Sequence, residues 1–250
     1  MILSHTQIEE IAAAVTKDFN EFFFGKHAAF ETYYAQATPI DQLAGDYLGL
    51  RVSFAHLSDD GSICGLTAYT DTEYAATCRG VTRLIPLKAN EVLLDSSFME
   101  PGQVKARCGK RRFTLAHECA HQLLFQMESD EAQRSHKEAY SPRTAYSLRD
   151  LKTREDWNEW QANALGAALL MPQREIDRAM GYLAQGRKLI NYGGCFNYGD
   201  RTTLSQLCQT LGVSKSAAVI RLRQMGYLED RPYEEYTDPL EVWPWAGTSV

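Results

Sequence analysis

His117-Glu118-Cys119-Ala120-His121 puts two imidazoles four residues apart and a carboxylate beside the first. On an α-helix of 3.6 residues per turn, the two histidines rise from one face. Neutral ring nitrogens at that spacing can ligate one zinc ion, and Glu118 next to them is suited to accept a proton from water at the metal. The chemistry implied is metal-assisted hydrolysis. A pattern this short arises by chance in roughly one random chain per hundred of similar histidine content, so its surroundings decide its meaning.

The segment leading in is Arg111-Arg112-Phe113-Thr114-Leu115-Ala116, and Leu115, Ala116, Cys119, Ala120 and Leu123 give the other helix faces small or apolar surfaces. The helix is therefore expected to pack into a core, where two histidines and a glutamate need partners and a divalent cation satisfies both imidazoles at once. Cys119, two residues from His117, points away from the histidine face and reads as core.

A third ligand is required. In the long form His-Glu-x-x-His-x-x-Gly-x-x-His it would be a third histidine, but the glycine position is Leu124 and the last histidine position is Met127. The other solution is a glutamate from a second helix. Glu159-Trp160-Gln161-Ala162-Asn163 runs into the small-residue stretch Ala164-Leu165-Gly166-Ala167-Ala168, which suits close helix packing. Glu159 then completes a His, His, Glu set with an open fourth position, and Asn163, one turn on, can hydrogen-bond a ligand. Glu155 and Asp156 are rival ligands one turn earlier.

Taken together, Arg112-Phe113-Thr114-Leu115-Ala116-His117-Glu118, Glu159-Trp160-Gln161-Ala162-Asn163 and Leu169-Leu170-Met171-Pro172 resemble the ImmA/IrrE family of metallo-endopeptidases over roughly residues 40 to 228. The resemblance implies a small zincin-like fold, one zinc ion per chain, and a regulatory protease that cleaves a helix-turn-helix repressor of a mobile element or a stress response. The chain departs from the family pattern between the motifs. Residues 126–157 are long, charged and rich in turn formers, and read as an insertion.

Elsewhere, Ile8, Ile11, Val15, Phe19, Phe22 and Phe23 recur at helical spacing. Asp41 to Leu48 reads as a second helix, and Leu50 to Phe54, Gly61 to Tyr69 and Thr82 to Leu87 read as strands. Glu91 to Asp95 is a short apolar strand. As an edge strand beside the metal helix, Val92, Leu93 and Leu94 would pair with an extended substrate. Periodicity alone equally allows an ordinary central strand.

Gly181 to Asp200, with Gly193-Gly194, Asn191 and Asn197, has a loop-like composition that suggests a boundary. Leu204 to Arg223 then reads as helix, glycine turn and serine-capped helix, resembling a helix-turn-helix. A DNA-reading face needs basic residues, and only Lys215, Arg221 and Arg223 stand there against a chain charge of −6, so direct DNA binding is not expected. From Glu229 the chain is acidic, with prolines, Trp243 and Trp245.

The outer limits agree with a cytoplasmic protein. The 250 residues, 44% of them hydrophobic, can form one substantial domain and an appendage, with no stretch approaching the ~20 apolar residues of a membrane span. Glutamates at 9 and 10 break any signal-peptide core. The six cysteines include no Cys-x-x-Cys pair, as expected in a reducing compartment.

The expected architecture is α+β: a zincin-like peptidase domain at 1–190, a helix-turn-helix-like unit at 200–228 and an acidic tail at 229–250. In the expected mechanism His117, His121 and Glu159 hold zinc, and Glu118 takes a proton from water and passes it to the leaving amine. Tyr140, Tyr146 and Tyr192 all stay open as donors to the oxyanion. The competing expectation is a zinc-containing regulator without protease activity, which binds DNA or sequesters a repressor.

Overall fold

The chain is described here by a computed structural model covering residues 2–25, 34–129, 131, 133, 140–142 (backbone only) and 153–236. It is a mixed α and β protein. Contacts divide it into two compact units, the first ending at Pro172 and the second starting at Gln173 and also taking in residues 34–36. The division lies ahead of the loop-like stretch at 181–200, so the helix at 173–184 goes with the second unit rather than with a domain ending at 190.

In the first unit, helix α1 (His5–Phe24) starts at a reciprocal cap: Ser4 Oγ accepts from Gln7 N at 3.3 Å, and Gln7 Oε1 accepts from Ser4 N at 2.9 Å. It ends at Gly25, whose φ of 72° suits a residue without a Cβ. Ile8, Ala12 and Phe19 form its buried stripe; of the predicted positions Ile11, Val15 and Phe23 are half-buried and Phe22 is exposed. The expected second helix is a short turn, α2 (Ile40–Gln42), that widens into a π-helical turn at Leu43–Tyr47.

The sheet follows as β1 (Arg51–Ala55), β2 (Gly65–Ala68), β5 (Glu91–Asp95) and β6 (Tyr140–Pro142), in the order β1-β5-β2-β6. Strand β5 runs parallel to β1 and antiparallel to β2. Val92, Leu93 and Leu94 are thus paired on both sides and almost wholly buried. This corrects the edge-strand expectation: the unbroken apolar run is that of a strand covered on both faces, with no free backbone to offer a peptide. Strands β3 (Thr72–Cys78) and β4 (Val81–Leu87) form a separate hairpin. Strand β3 was not anticipated, because only Tyr74 and Ala76 mark its buried face.

Helix α3 (Val104–Gln126) lies on this sheet, where the buried Gln122 Nε2 donates to Thr67 Oγ1 at 2.7 Å and to the Ala68 carbonyl at 2.9 Å. Helix α4 (Arg154–Leu170) packs against α3 and α1. Ile8, Ala12, Ala120, Ala162, Leu165, Ala168 and Leu169 form the shared core. A Cβ at Gly166 would stand 3.0 Å from His117 N and 3.1 Å from the Ala116 carbonyl carbon and oxygen, so a bare glycine sets how closely α4 approaches α3. Arg111 Nη1 and Nη2 reach the two carboxylate oxygens of Asp41 at 2.8 Å each, tying α3 to α2.

In the second unit, α5 (Gln173–Ala184) is followed by β7 (Leu189–Tyr192), α6 (Tyr198–Leu211), α7 (Lys215–Gln224) and β8 (Leu228–Arg231). Strands β7 and β8 pair in parallel. Gly212, with φ of 64°, ends α6, and Ser214 Oγ caps α7 by accepting from Ala217 N at 3.3 Å. Leu204, Leu207, Leu211, Ala218 and Leu222 are buried. Most of the expected insertion at 126–157 lies outside the described residues, as do Trp243 and Trp245.

Gly166→Val places branched carbon against the α3 backbone. It should cost ~1–3 kcal/mol in urea unfolding, the usual cost of overpacking. The Arg111 hydrogen bond, offset by partial burial, holds the Asp41 carboxyl below the ordinary carboxylate range. That contribution is present above the unfolded-state pKa and is lost as pH falls through the lowered one. Because Asp41 is 56% exposed, Asp41→Asn should remove under ~1 kcal/mol near neutral pH, with the difference from wild type vanishing in acid unfolding curves.

Candidate metal centre

His117, Glu118 and His121 lie in the buried half of α3, which runs from Thr114 to Gln122. The two imidazoles stand edge to face, with ring centroids 4.6 Å apart and planes at 84°. Their Nε2 atoms are 3.0 Å from each other. Helix α4 begins at a capping box in which Thr153 Oγ1 accepts from Asp156 N at 3.1 Å and Asp156 Oδ2 accepts from Thr153 N at 2.8 Å. That start places Glu159 in the second turn and commits Asp156 to the cap, while Glu155 is exposed. Of the three acids weighed from sequence, Glu159 is the one brought to the histidines: Oε1 is 3.0 Å from His121 Nε2, and Oε2 is 3.3 Å from His117 Nε2.

These three groups could hold a metal ion. Tetrahedral ligation at ~2.0–2.2 Å separates ligand atoms by about 3.4 Å, close to the 3.0–3.3 Å spacings here. The histidine side chains are at most 4% exposed and Glu159 is 15% exposed, so a cation bound among them has little water to compete with. Burial works to raise the Glu159 carboxyl pKa, but hydrogen bonds and charge from His117 and His121 outweigh it and hold the group well below the usual carboxylate value. The carboxylate is therefore ionised at neutral pH, as a ligand must be.

Two residues that sequence reasoning passed over support this group. Tyr69, on the residue after β2, is 8% exposed and brings its hydroxyl to 3.2 Å from His121 Nδ1. When Nε2 serves as a ligand, Nδ1 carries the proton and donates it to that hydroxyl, fixing tautomer and ring orientation. Phe125, one turn beyond His121, stacks on the Tyr69 ring at 4.6 Å. Gly65 is the second: a Cβ there would sit 2.6 Å from Thr114 Cγ2 and 2.9 Å from Glu118 Oε1. The Glu118 carboxylate thus occupies the space that a side chain on β2 would fill. A glycine inside a strand signals such an approach, whereas nothing in the sequence singles Tyr69 out among thirteen tyrosines.

The remaining expectations fall as follows. Asn163 Nδ2 donates to the Glu159 backbone carbonyl at 2.9 Å, steadying the ligand's own helical turn. Cys119 is fully buried, and burial pushes its thiol pKa far up, as befits a core residue. Among the tyrosines considered for the oxyanion, Tyr146 lies outside the described residues, Tyr140 is described only in its backbone, and Tyr192 is buried in the second unit.

Elemental analysis of protein dialysed against metal-free buffer should give about one divalent metal per chain, and His117→Ala, His121→Ala or Glu159→Ala should each lose most of it. Full retention in Glu159→Ala with loss in Glu155→Ala would reassign the third ligand. Tyr69→Phe keeps the ring on Phe125 and should weaken metal affinity roughly 10- to 100-fold in a chelator competition.

Comparison with known families matches residues 106–223 to the peptidase M78 family, described as the IrrE N-terminal-like domain. No curated protein matches the chain. The matched segment holds both the histidine motif on α3 and Glu159 on α4, the same two motifs that carry the resemblance read from the sequence. The match at residues 106–223 supports the ImmA/IrrE resemblance and points to a metallopeptidase.

Proposed function

We propose that the protein is a zinc-dependent, site-specific endopeptidase that cleaves a helix-turn-helix transcriptional repressor in the cytoplasm. The observation that carries this reading is the meeting of His117 Nε2, His121 Nε2 and the Glu159 carboxylate within 3.3 Å of one another in a largely buried pocket. Two imidazoles and one carboxylate suit zinc and leave a coordination position for a reacting molecule. A structural zinc site more often closes with four protein ligands. The family match implies the substrate class, a protein. The repressor is the finer part of the proposal and rests on the resemblance.

A zinc ion held by these residues would supply Lewis acidity, lowering the pKa of water from near 16 to about 7 and polarising a peptide carbonyl. The chain's own residues do the rest. His121, oriented by Tyr69, and His117 present their Nε2 lone pairs, and the Glu159 carboxylate offsets the positive charge. Glu118 is the proton carrier: its carboxylate takes a proton from the attacking water and delivers it to the departing amine. Packing of Glu118 against Gly65 holds that carboxylate in one place, which a positioned base requires.

The alternative, a regulator that reads DNA, loses support in the second unit. Arg221, one of its three basic candidates, is 1% exposed. Arg223 is engaged by Asp230 through Nε at 2.7 Å and Nη2 at 2.8 Å. Lys215 and the Asp230-paired Arg223 are the candidates that still face solvent, and Lys215 lies 5.2 Å from the Phe196 ring centroid.

Glu118→Gln keeps the side chain's shape and all three ligands but cannot accept the proton. It should bind metal as the wild type does, while cleavage of a co-expressed partner repressor falls by ~10² or more. Wild-type protein should cut that repressor into two discrete fragments, and a chelator should prevent it. If Glu118→Gln relieves repression in cells as well as wild type, the protein acts by sequestering the repressor.

A further inference from the structure

A second group of ligand-type side chains lies in the first unit, on elements that the peptidase reading does not use. His56 and Asp59 follow β1 in the loop leading to β2, and Cys78 ends β3. One atom of each, a ring nitrogen, a carboxylate oxygen and the thiol sulfur, lies within 4.8 Å of the other two. His56 Nε2 and Asp59 Oδ1 are 3.2 Å apart.

The backbone holds these residues in place. Leu57, between His56 and Asp59, is 1% exposed. Its amide donates to Asp95 Oδ2 at 3.1 Å, and its carbonyl accepts from the Tyr74 hydroxyl at 3.1 Å. The loop is thereby fixed to β5 and to β3, the strand that carries Cys78. Arg79 and Gly80, with φ of 50° and 73°, form the two-residue turn between the paired Cys78 and Val81. Asp59 accepts from the amides of both turn residues, through Oδ1 at 2.7 Å and Oδ2 at 3.1 Å. Those amide bonds keep the carboxyl below its ordinary pKa, so it stands ionised beside the thiol and the imidazole.

Turn capping accounts for Asp59, and an exposed hydrogen-bond contact with Asp59 accounts for His56. Neither requires a thiol at the same point. We propose that His56, Asp59 and Cys78 form a second, solvent-open site for a thiophilic divalent cation of the zinc class, bridging the β1–β2 loop to the tip of the β3–β4 hairpin. The donor set of imidazole nitrogen, carboxylate oxygen and thiolate sulfur selects zinc or cobalt over magnesium or calcium. Ligand atoms within 4.8 Å need to close only to about 3.4–3.7 Å around one tetrahedral ion, a movement that side-chain torsions supply. On binding, the Cys78 thiol gives up its proton to solvent and the sulfur–metal bond forms in its place. The site is more exposed than the first, with His56 and Asp59 41% and 42% exposed, so it should fill after the buried group and release its ion more readily.

The test is a titration of the full-length, metal-free chain with cobalt(II) alone. Two equivalents should bind, and a thiolate-to-cobalt charge-transfer absorption in the near ultraviolet should grow with the second. Cys78→Ser should abolish that absorption and the second equivalent while leaving the first. His56→Ala should weaken the second equivalent by more than the roughly 10- to 100-fold that losing an outer partner costs. His117→Ala should lose the first equivalent and keep the thiolate absorption, which makes the result independent of the peptidase reading. All three substitutions can be checked for folding by circular dichroism. Binding of a single equivalent to wild type, or persistence of the thiolate band in Cys78→Ser, would overturn the proposal.

Discussion

Everything at the candidate centre depends on how closely helix α4 lies against helix α3. His117 and His121 belong to one helix and Glu159 to the other, so their meeting is a matter of interhelical distance. Gly166, two turns beyond Glu159 on the same face, sets that distance by letting the α3 backbone at Ala116 and His117 come within what would be van der Waals contact of a Cβ. A displacement of one ångström there would carry Glu159 out of ligand range of two imidazoles that are themselves held by their helix. The small residues Ala120, Ala162 and Ala168 in the shared core serve the same approach.

The pocket so formed is costly for an apolar core. Two imidazoles and a carboxylate are removed from most of their water, and each leaves a desolvation penalty to be met. Part is met within the protein: Tyr69 at His121 and the histidines at the Glu159 carboxylate. A divalent cation meets the rest more fully than mutual hydrogen bonds can, because Nε2 atoms facing each other at 3.0 Å compete for one proton but can share one metal. Chemistry at this point therefore follows from the same packing that stabilises the domain.

The parts of this arrangement that were legible in the sequence are those governed by local rules. The histidine pair is a matter of helical period. Glu159 was separable from Glu155 and Asp156 because the small residues that allow close packing follow it, and the Thr153–Asp156 cap explains where the other two went. The helices around Gly212 were equally readable, since a left-handed glycine and a capping serine leave clear marks. The misjudged features were non-local. Whether Val92 to Leu94 lie at an edge or in the centre depends on where β2 comes to rest, and β2 is separated from β5 in sequence by the β3–β4 hairpin. Tyr69 acquires its role only because β2 delivers it beside α3, and Gly65 matters only because Glu118 arrives opposite it. Arg221 looked like a surface base in a list of charges and is in fact buried.

The most direct test of the central claim is a crystal structure of the zinc-loaded chain with anomalous scattering recorded at the zinc edge. Joint ligation by the two helices predicts a strong peak about 2.0–2.2 Å from His117 Nε2, His121 Nε2 and a Glu159 carboxylate oxygen, with no fourth protein ligand. A Glu159 carboxylate turned away from the metal, or a fourth side chain closing the site, would contradict it.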